Sequence, residues 1–328
     1  MNKKLIGVLT CLLLIATVFP VTGIIIDKNH HESSTRLCTK YEKSSLSPGD
    51  YFRFIIVDER LRSYRFHIPL GYNNETAIPI VFSLHGHGAN AWDMRRYTEF
   101  DDKSDEEGFV VVYPNGHFIY KGIIELLLGL WYGWNFWENQ NYDADDVGYI
   151  RTLIEYFQEI LNINASRMYI TGGSGGACMA YRLGAELSDE IAAIAPLAGS
   201  IGGAWGYTPH YMIPTPSNPL PVVVFHGMQD LHVPYFGGWA DGVDWMSVDE
   251  SISFWVVHNM CNPIPEIETS ESGNIITKTY TGGSNGSEVV LYTVVNGGHE
   301  WFGSPYFPPC EISATDLIWD FFEQHPKQ

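Results

Sequence analysis

The sequence predicts an α/β domain built on a doubly wound, mostly parallel sheet. Short continuous apolar runs recur along the chain, stretches of helical periodicity alternate with them, and glycine-rich turns follow several of the runs. The 328 residues are 45% hydrophobic and 17% charged, enough apolar material for one large core.

Each element can be justified in order. Residues 1–23 read as an export signal: Lys3 and Lys4 precede an apolar run from Leu5 to Phe19, Pro20 breaks it, and Val21-Thr22-Gly23 offers small residues for cleavage. Ile24, Ile25 and Ile26 extend the apolar stretch, so the alternative is an uncleaved anchor with the rest of the chain outside the membrane. Residues 24–50 are expected to be a polar, Ser-rich linker of low order, with His30-His31 solvated. From residue 51 the pattern turns to β. Residues 51–57 and 62–68 flank a turn at Asp58-Glu59-Arg60, an antiparallel N-terminal hairpin at one sheet edge. Residues 79–84 and 109–113 are runs of the kind buried in parallel sheets.

A helix is expected after Asp145-Asp146, where Val147, Ile150, Leu153, Ile154, Phe157, Ile160 and Leu161 recur at three- and four-residue steps. The two acids suit the positive end of its dipole. Residues 168–171, 191–197, 222–225 and 289–295 supply further strands, and residues 177–187 another helix. Ser313 caps a closing helix with Leu317, Ile318, Phe321 and Phe322 on its apolar face. The folded domain is thus expected over residues 51–328.

Composition excludes some partners. A net charge of −19 repels polyanions, and no basic helix or nucleic-acid signature occurs, so nucleic acid is excluded. A membrane partner is expected only if the N-terminal segment stays uncleaved. Cys11 lies in the signal, leaving Cys38, Cys178, Cys261 and Cys310, whose three full pairings the sequence cannot separate. Cys178 falls in a buried helix and is expected to be a free core thiol. No Cys/His spacing suggests a metal, and no cofactor motif is present. Sequons at Asn74, Asn164 and Asn285 suit an exported chain.

The chemistry-bearing pattern is Gly172-Gly173-Ser174-Gly175-Gly176, which fits G-x-S-x-G between a strand and a helix. A nucleophilic serine on so sharp a turn needs small, closely packed neighbours. A second match, Gly282-Gly283-Ser284-Asn285-Gly286, lies between two strands and reads as a hairpin turn. Asp230 follows the strand at 222–225, and His299 follows the strand at 289–295 on the glycine-flanked Asn296-Gly297-Gly298 loop. Catalytic groups of open α/β sheets gather at the carboxyl ends of strands. The order Ser174, Asp230, His299 is that of the α/β-hydrolase fold, with nucleophile, orienting acid and general base in that sequence. Asp241 and Asp244 are the next acids in line. Two backbone N–H groups would face the oxyanion: that of Gly175 and that of His87, in the His85-Gly86-His87-Gly88 turn after the strand at 79–84.

These motifs, with Val112-Tyr113-Pro114-Asn115-Gly116, Asp145-Asp146-Val147-Gly148-Tyr149, Val233-Pro234-Tyr235 and Gly297-Gly298-His299-Glu300-Trp301, resemble the poly(3-hydroxybutyrate) depolymerase and feruloyl esterase group related to carbohydrate esterase family 1. The resemblance runs from about residue 51 to residue 322. It implies hydrolysis of carboxylic esters by a serine esterase without metal or organic cofactor, and substrate contacts at Trp134, Asn135 and Trp301. It also implies a cysteine partner for Cys261 near residues 280–283. None is there, and Cys310 is the substitute. Three departures bear on substrate: that missing cysteine, Phe302-Gly303 after Trp301, and an apolar insert at 118–132.

The insert reads either as a lid for an aromatic or fatty acyl group or as a helix packed on the body. The expected activity is that of an exported feruloyl or acetyl-xylan esterase, acting on aromatic or acetyl esters of plant polysaccharide. A polyhydroxyalkanoate or other polyester depolymerase, acting on polyester oligomers, is the alternative, and a serine peptidase a more distant one. A non-catalytic binding protein would be expected to lack one of Ser174, Asp230 and His299.

Overall fold

The computed structural model describes residues 24–26, 46–118, 132–137 and 144–327. Its frame is an eleven-stranded sheet. The strands are β1 (Ile24–Ile26), β2 (Gly49–Val57), β3 (Arg60–Ile68), β4 (Ile78–Leu84), β5 (Val110–Pro114) and β6 (Ile163–Gly173). They continue with β7 (Ala193–Leu197), β8 (Val222–Gly227), β9 (Glu266–Thr269), β10 (Ile275–Tyr280) and β11 (Val289–Val294). Their order across the sheet is β1-β2-β3-β5-β4-β6-β7-β8-β11-β10-β9. From β5 to β11 all neighbours are parallel. The β2–β3 and β9–β10 hairpins add antiparallel strands at the two sides. This is the predicted doubly wound sheet with its N-terminal hairpin.

Local chemistry explains the elements. Asp58 and Glu59 both adopt positive φ, 50° and 57°, as the two central residues of a type I′ hairpin turn must. In β4 the side chains alternate between faces, Ile80 and Phe82 packing on one layer and Val81 on the other. One face is covered by α3 (Asp146–Ile160), α4 (Gly175–Glu186) and α5 (Val248–His258). The other is covered by α1 (Ala91–Thr98), α2 (Phe100–Glu107) and α6 (Ala314–Gln324). The caps are side-chain oxygens: Asp145 accepts from Gly148 N–H for α3, and Ser313 from Asp316 N–H for α6.

The structure corrects several expectations. Residues 24–50 are not linker throughout: β1 pairs in parallel with β2, and β2 begins at Gly49. Helices α1, α2 and α5 were not foreseen. Helix α2 (FDDKSDEE) buries only Phe100 and Ser104, too few positions to show a helical apolar period. The signal that was available is the capping box, Asn90 with Asp93 and Ser247 with Glu250. A small antiparallel sheet was also unforeseen. It runs Tyr211–Met212, Gly202–Trp205, Val243–Trp245, Gly238–Ala240 and is drawn from the connections after β7 and β8.

Cys178, Cys261 and Cys310 are free thiols, so the bridge expected between Cys261 and Cys310 does not form. Cys261 is buried with its Sγ 3.8 Å from the Ser287 carbonyl oxygen. Cys178 is a core thiol as expected, and burial pushes its pKa up to about 12. The residues expected to form the signal, Cys38 and most of the apolar insert lie outside the described residues. The ends of the insert, His117–Phe118 and Tyr132–Gly133, pair as a short antiparallel ladder. Among the described residues no helix is long and apolar enough to cross a membrane.

Candidate active site

Four connections leave the carboxyl ends of parallel strands and carry the residues singled out above. Ser174 joins β6 to α4 with φ 57° and ψ −122°, a backbone conformation that residues with a side chain avoid. The surroundings hold it there. Its N–H donates to the Leu197 carbonyl at 2.9 Å, and its own carbonyl accepts from Ala177 and Cys178 N–H. The flanking glycines are required by close approach. A Cβ on Gly172 would stand 2.5 Å from the Gly176 carbonyl oxygen, and one on Gly176 only 2.2 Å from that of Leu84. Ser284, by contrast, lies in the connection between β10 and β11, in the hairpin turn expected for it.

Asp230 lies just past β8, buried, and both its oxygens are engaged. Oδ1 accepts the backbone N–H groups of His232 and Val233 at 2.8 and 2.9 Å. Oδ2 is 2.7 Å from Nδ1 of His299, which follows β11. Burial alone would raise the Asp230 pKa. Hydrogen bonding to His226 and His299 outweighs it and holds the carboxyl well below the usual carboxylate range. Asp241 and Asp244 are engaged elsewhere, with His232 and His210. The structure therefore brings Asp230 and His299 together. It leaves Ser174 Oγ without a hydrogen bond to His299, an arrangement common before substrate closes the site.

Sequence reasoning passed over two histidines. His226 is fully buried, with Nε2 2.8 Å from the Val233 carbonyl oxygen and 3.5 Å from Asp230 Oδ2. The ring of His232 stands edge-on to that of His299 at 5.0 Å. Their nearness in sequence to Asp230 was the available clue.

The turn after β4 completes the constellation. Ala89 N–H donates to the Gly86 carbonyl, and Gly88, at φ 77°, takes the left-handed position that a type II turn reserves for glycine. A Cβ placed on Gly86 would lie 3.3 Å from Ser174 Cβ, and one on Gly175 would lie 3.2 Å from the backbone nitrogen of His87. The His87 backbone nitrogen thus lies close to Gly175, and Gly86 close to Ser174.

No family model matches the chain. Feruloyl esterase C of Emericella nidulans is 25% identical over 268 residues, covering 80% of this chain and 83% of that protein. The bifunctional acetylxylan esterase/xylanase XynS20E of Neocallimastix patriciarum is 28% identical over 46% of this chain and 19% of its own length. Among solved structures, an acetyl xylan esterase from Aspergillus awamori superposes with a TM-score of 0.57 at 14% identity, over 83% of this chain and 99% of its own. The chain is similar to the feruloyl esterase-like group, and it is a carboxylic ester hydrolase. A CE1 ferulic acid esterase from Anaeromyces mucronatus, solved with ferulic acid, shares the fold with a TM-score of 0.51 at 14% identity, over 87% of this chain and 93% of its own.

Of the three expected substrate contacts, Trp134 and Trp301 are buried in the core. Trp134 is fully buried, and its indole N–H donates to the His85 carbonyl at 2.8 Å. Trp301 is buried against Gly173, with its indole N–H on Thr315 Oγ1. Asn135 is half-buried and ties two loops, through Ala144 O and through Asp146, which accepts its backbone N–H at 2.6 Å. Aromatic residues beside a glycine-rich motif look like pocket walls in sequence, but here they fill the core beneath it. Asp146 is also more than a helix-terminal acid. Buried, it takes Arg62 at 2.6 Å and His117 at 3.2 Å, and Arg62 in turn lies over the Tyr149 ring.

Among the described residues one group, Asp50, His67 and Asp101, brings possible metal-ligand atoms within 4.8 Å of one another. Arg95 already bonds both carboxylates, which makes this a charge network rather than an open cation site.

Proposed function

We propose that this carboxylic ester hydrolase works through an acyl-enzyme on Ser174, with His299 as general base and Asp230 as the group that orients it. The observation that carries the reading is the Asp230–His299 hydrogen bond of 2.7 Å at the strand ends where Ser174 is held at φ 57°. As Ser174 Oγ attacks the ester carbonyl carbon, His299 Nε2 takes the hydroxyl proton. The carbonyl oxygen becomes an oxyanion facing the His87 and Gly175 N–H groups. When the tetrahedral intermediate collapses, the C–O bond to the alcohol breaks and His299 returns the proton to that oxygen. Water then attacks the acyl carbon with His299 again as base, releasing the acid and restoring Ser174. Asp230 fixes the tautomer with the proton on Nδ1 and stabilises the imidazolium.

For substrate, feruloyl or acetyl esters of plant polysaccharide fit the names carried by the relatives. Export belongs to the same reading and is supported by the Lys3-Lys4 start and the apolar run to Phe19. A fluorophosphonate probe should label Ser174 and not Ser284, Ser174→Ala should lose ester hydrolysis, and Ser284→Ala should keep it. Labelling at Ser284 would overturn the assignment. Rates on methyl ferulate, acetylated xylan and a hydroxybutyrate oligomer rank the substrate classes.

A further inference from the structure

The fully buried imidazole of His85 touches no reacting atom, yet every polar atom of its ring is committed. Nε2 accepts the Gly116 N–H at 2.9 Å. A nitrogen that accepts carries no proton, so in neutral imidazole the proton is on Nδ1. Nδ1 lies 2.7 Å from the Gly86 carbonyl oxygen and donates to it. The Trp134 indole N–H holds the His85 carbonyl at 2.8 Å, and the two rings lie 5.0 Å apart. Burial keeps the ring neutral, lowering its pKa to about 4 against a weaker opposing pull from the Gly86 carbonyl. The charged and titratable groups whose fields reach it are Asp146, Arg62 and His87.

The Gly86 carbonyl and the His87 N–H belong to one planar peptide unit and point in opposite directions. Fixing one therefore fixes the other. We infer that His85 is a positioning residue whose Nδ1–H···O=C bond to Gly86 sets the His87 amide beside Ser174 and Gly175 before substrate arrives. This rests on the oxyanion reading given above. It adds that the hole is preorganised by a side chain two residues before His87, itself held by the Gly116 amide.

The test separates the two ring nitrogens. His85→Asn keeps a donor at the δ position and loses the ε acceptor, whereas His85→Gln keeps only an ε-position acceptor. With an activated ester, kcat of the Gln variant should fall on the order of a hundredfold, the scale of a lost oxyanion donor. The Asn variant should stay within about tenfold of wild type, and KM should change little in either. Affinity for a trifluoromethyl ketone, which mimics the tetrahedral species, should fall in proportion to kcat. Wild-type kcat in a folded Gln variant, or equal losses in Asn and Gln, would overturn the inference. If the Gln variant does not fold, the ¹⁵N spectrum of the wild-type His85 ring decides. Nδ1 protonated and Nε2 bare from pH 5 to 9 supports the inference, and a proton on Nε2 rejects it. End-point fluorophosphonate labelling of Ser174 in each variant keeps this outcome distinct from a failure of the nucleophile assignment.

Discussion

His299 Nδ1 stands 2.7 Å from one oxygen of Asp230, while the other oxygen is held by the backbone N–H groups of His232 and Val233. The carboxylate is therefore aimed by its own turn, independently of His299. Asp230→Asn should keep the fold, because the amide oxygen still accepts from both backbone N–H groups. Its NH2 would then face His299 Nδ1 and favour the wrong tautomer. We expect kcat to fall about 10⁴-fold with little change in melting temperature. A near-normal rate would remove Asp230 from the mechanism.

The Arg62–Asp146 pair should dominate stability near the site. Both groups are buried, and removing the acid strands a guanidinium with no compensating charge. Asp146→Asn is expected to cost about 3–5 kcal/mol in chemical denaturation. Burial raises the Asp146 pKa, but Arg62 and His117 outweigh it and leave it below the usual value. A depressed folded-state pKa gives stability that is present above the unfolded value and lost as pH falls through the folded one. Wild-type stability should thus decline in acid, and the Asn variant should lose that part of the decline.

His67 predicts the opposite sign. Its ring nitrogens face Asp50 at 2.7 Å and Asp105 at 3.0 Å, joining β2, β3 and α2. Burial lowers its pKa, but the two carboxylates outweigh this and raise it above 6.5. Its contribution is fully present below the unfolded pKa and disappears as pH rises through the folded one. Melting temperature should fall as pH rises from the ordinary histidine pKa through the higher folded one in wild type, and less so in His67→Gln. Parallel pH profiles would exclude the network as a source of stability.

The cysteines give a chemical check. With no bridge between Cys261 and Cys310, adding reductant should leave the melting temperature unchanged. Iodoacetamide should modify half-buried Cys310 first, and Cys178 only after unfolding, because burial suppresses its thiolate. A reductant-sensitive transition would show that these thiols pair in solution.

Much of this protein is legible in its sequence because it is written in local periodicity. Two-sided apolar runs such as residues 79–84 mark strands buried on both faces, and the three- and four-residue steps from Val147 to Leu161 mark an amphipathic helix. The glycines around Ser174 were equally readable, since the turn tolerates little else, and the positions of Asp230 and His299 followed from the strands before them. Helix α2 and the small antiparallel sheet were not, because their faces are too short or too polar to leave a period.

Tertiary structure alone decided what a side chain at a known position does. Trp134 and Trp301 look like substrate walls and are core supports, and Asp146 looks like a helix-terminal acid and is the buried partner of Arg62. The role of the His85 ring is likewise invisible in the string, since it depends on Gly116, thirty-one positions away. Burial and hydrogen-bond partners are set by which distant segments meet, and spacing along the chain carries no record of that.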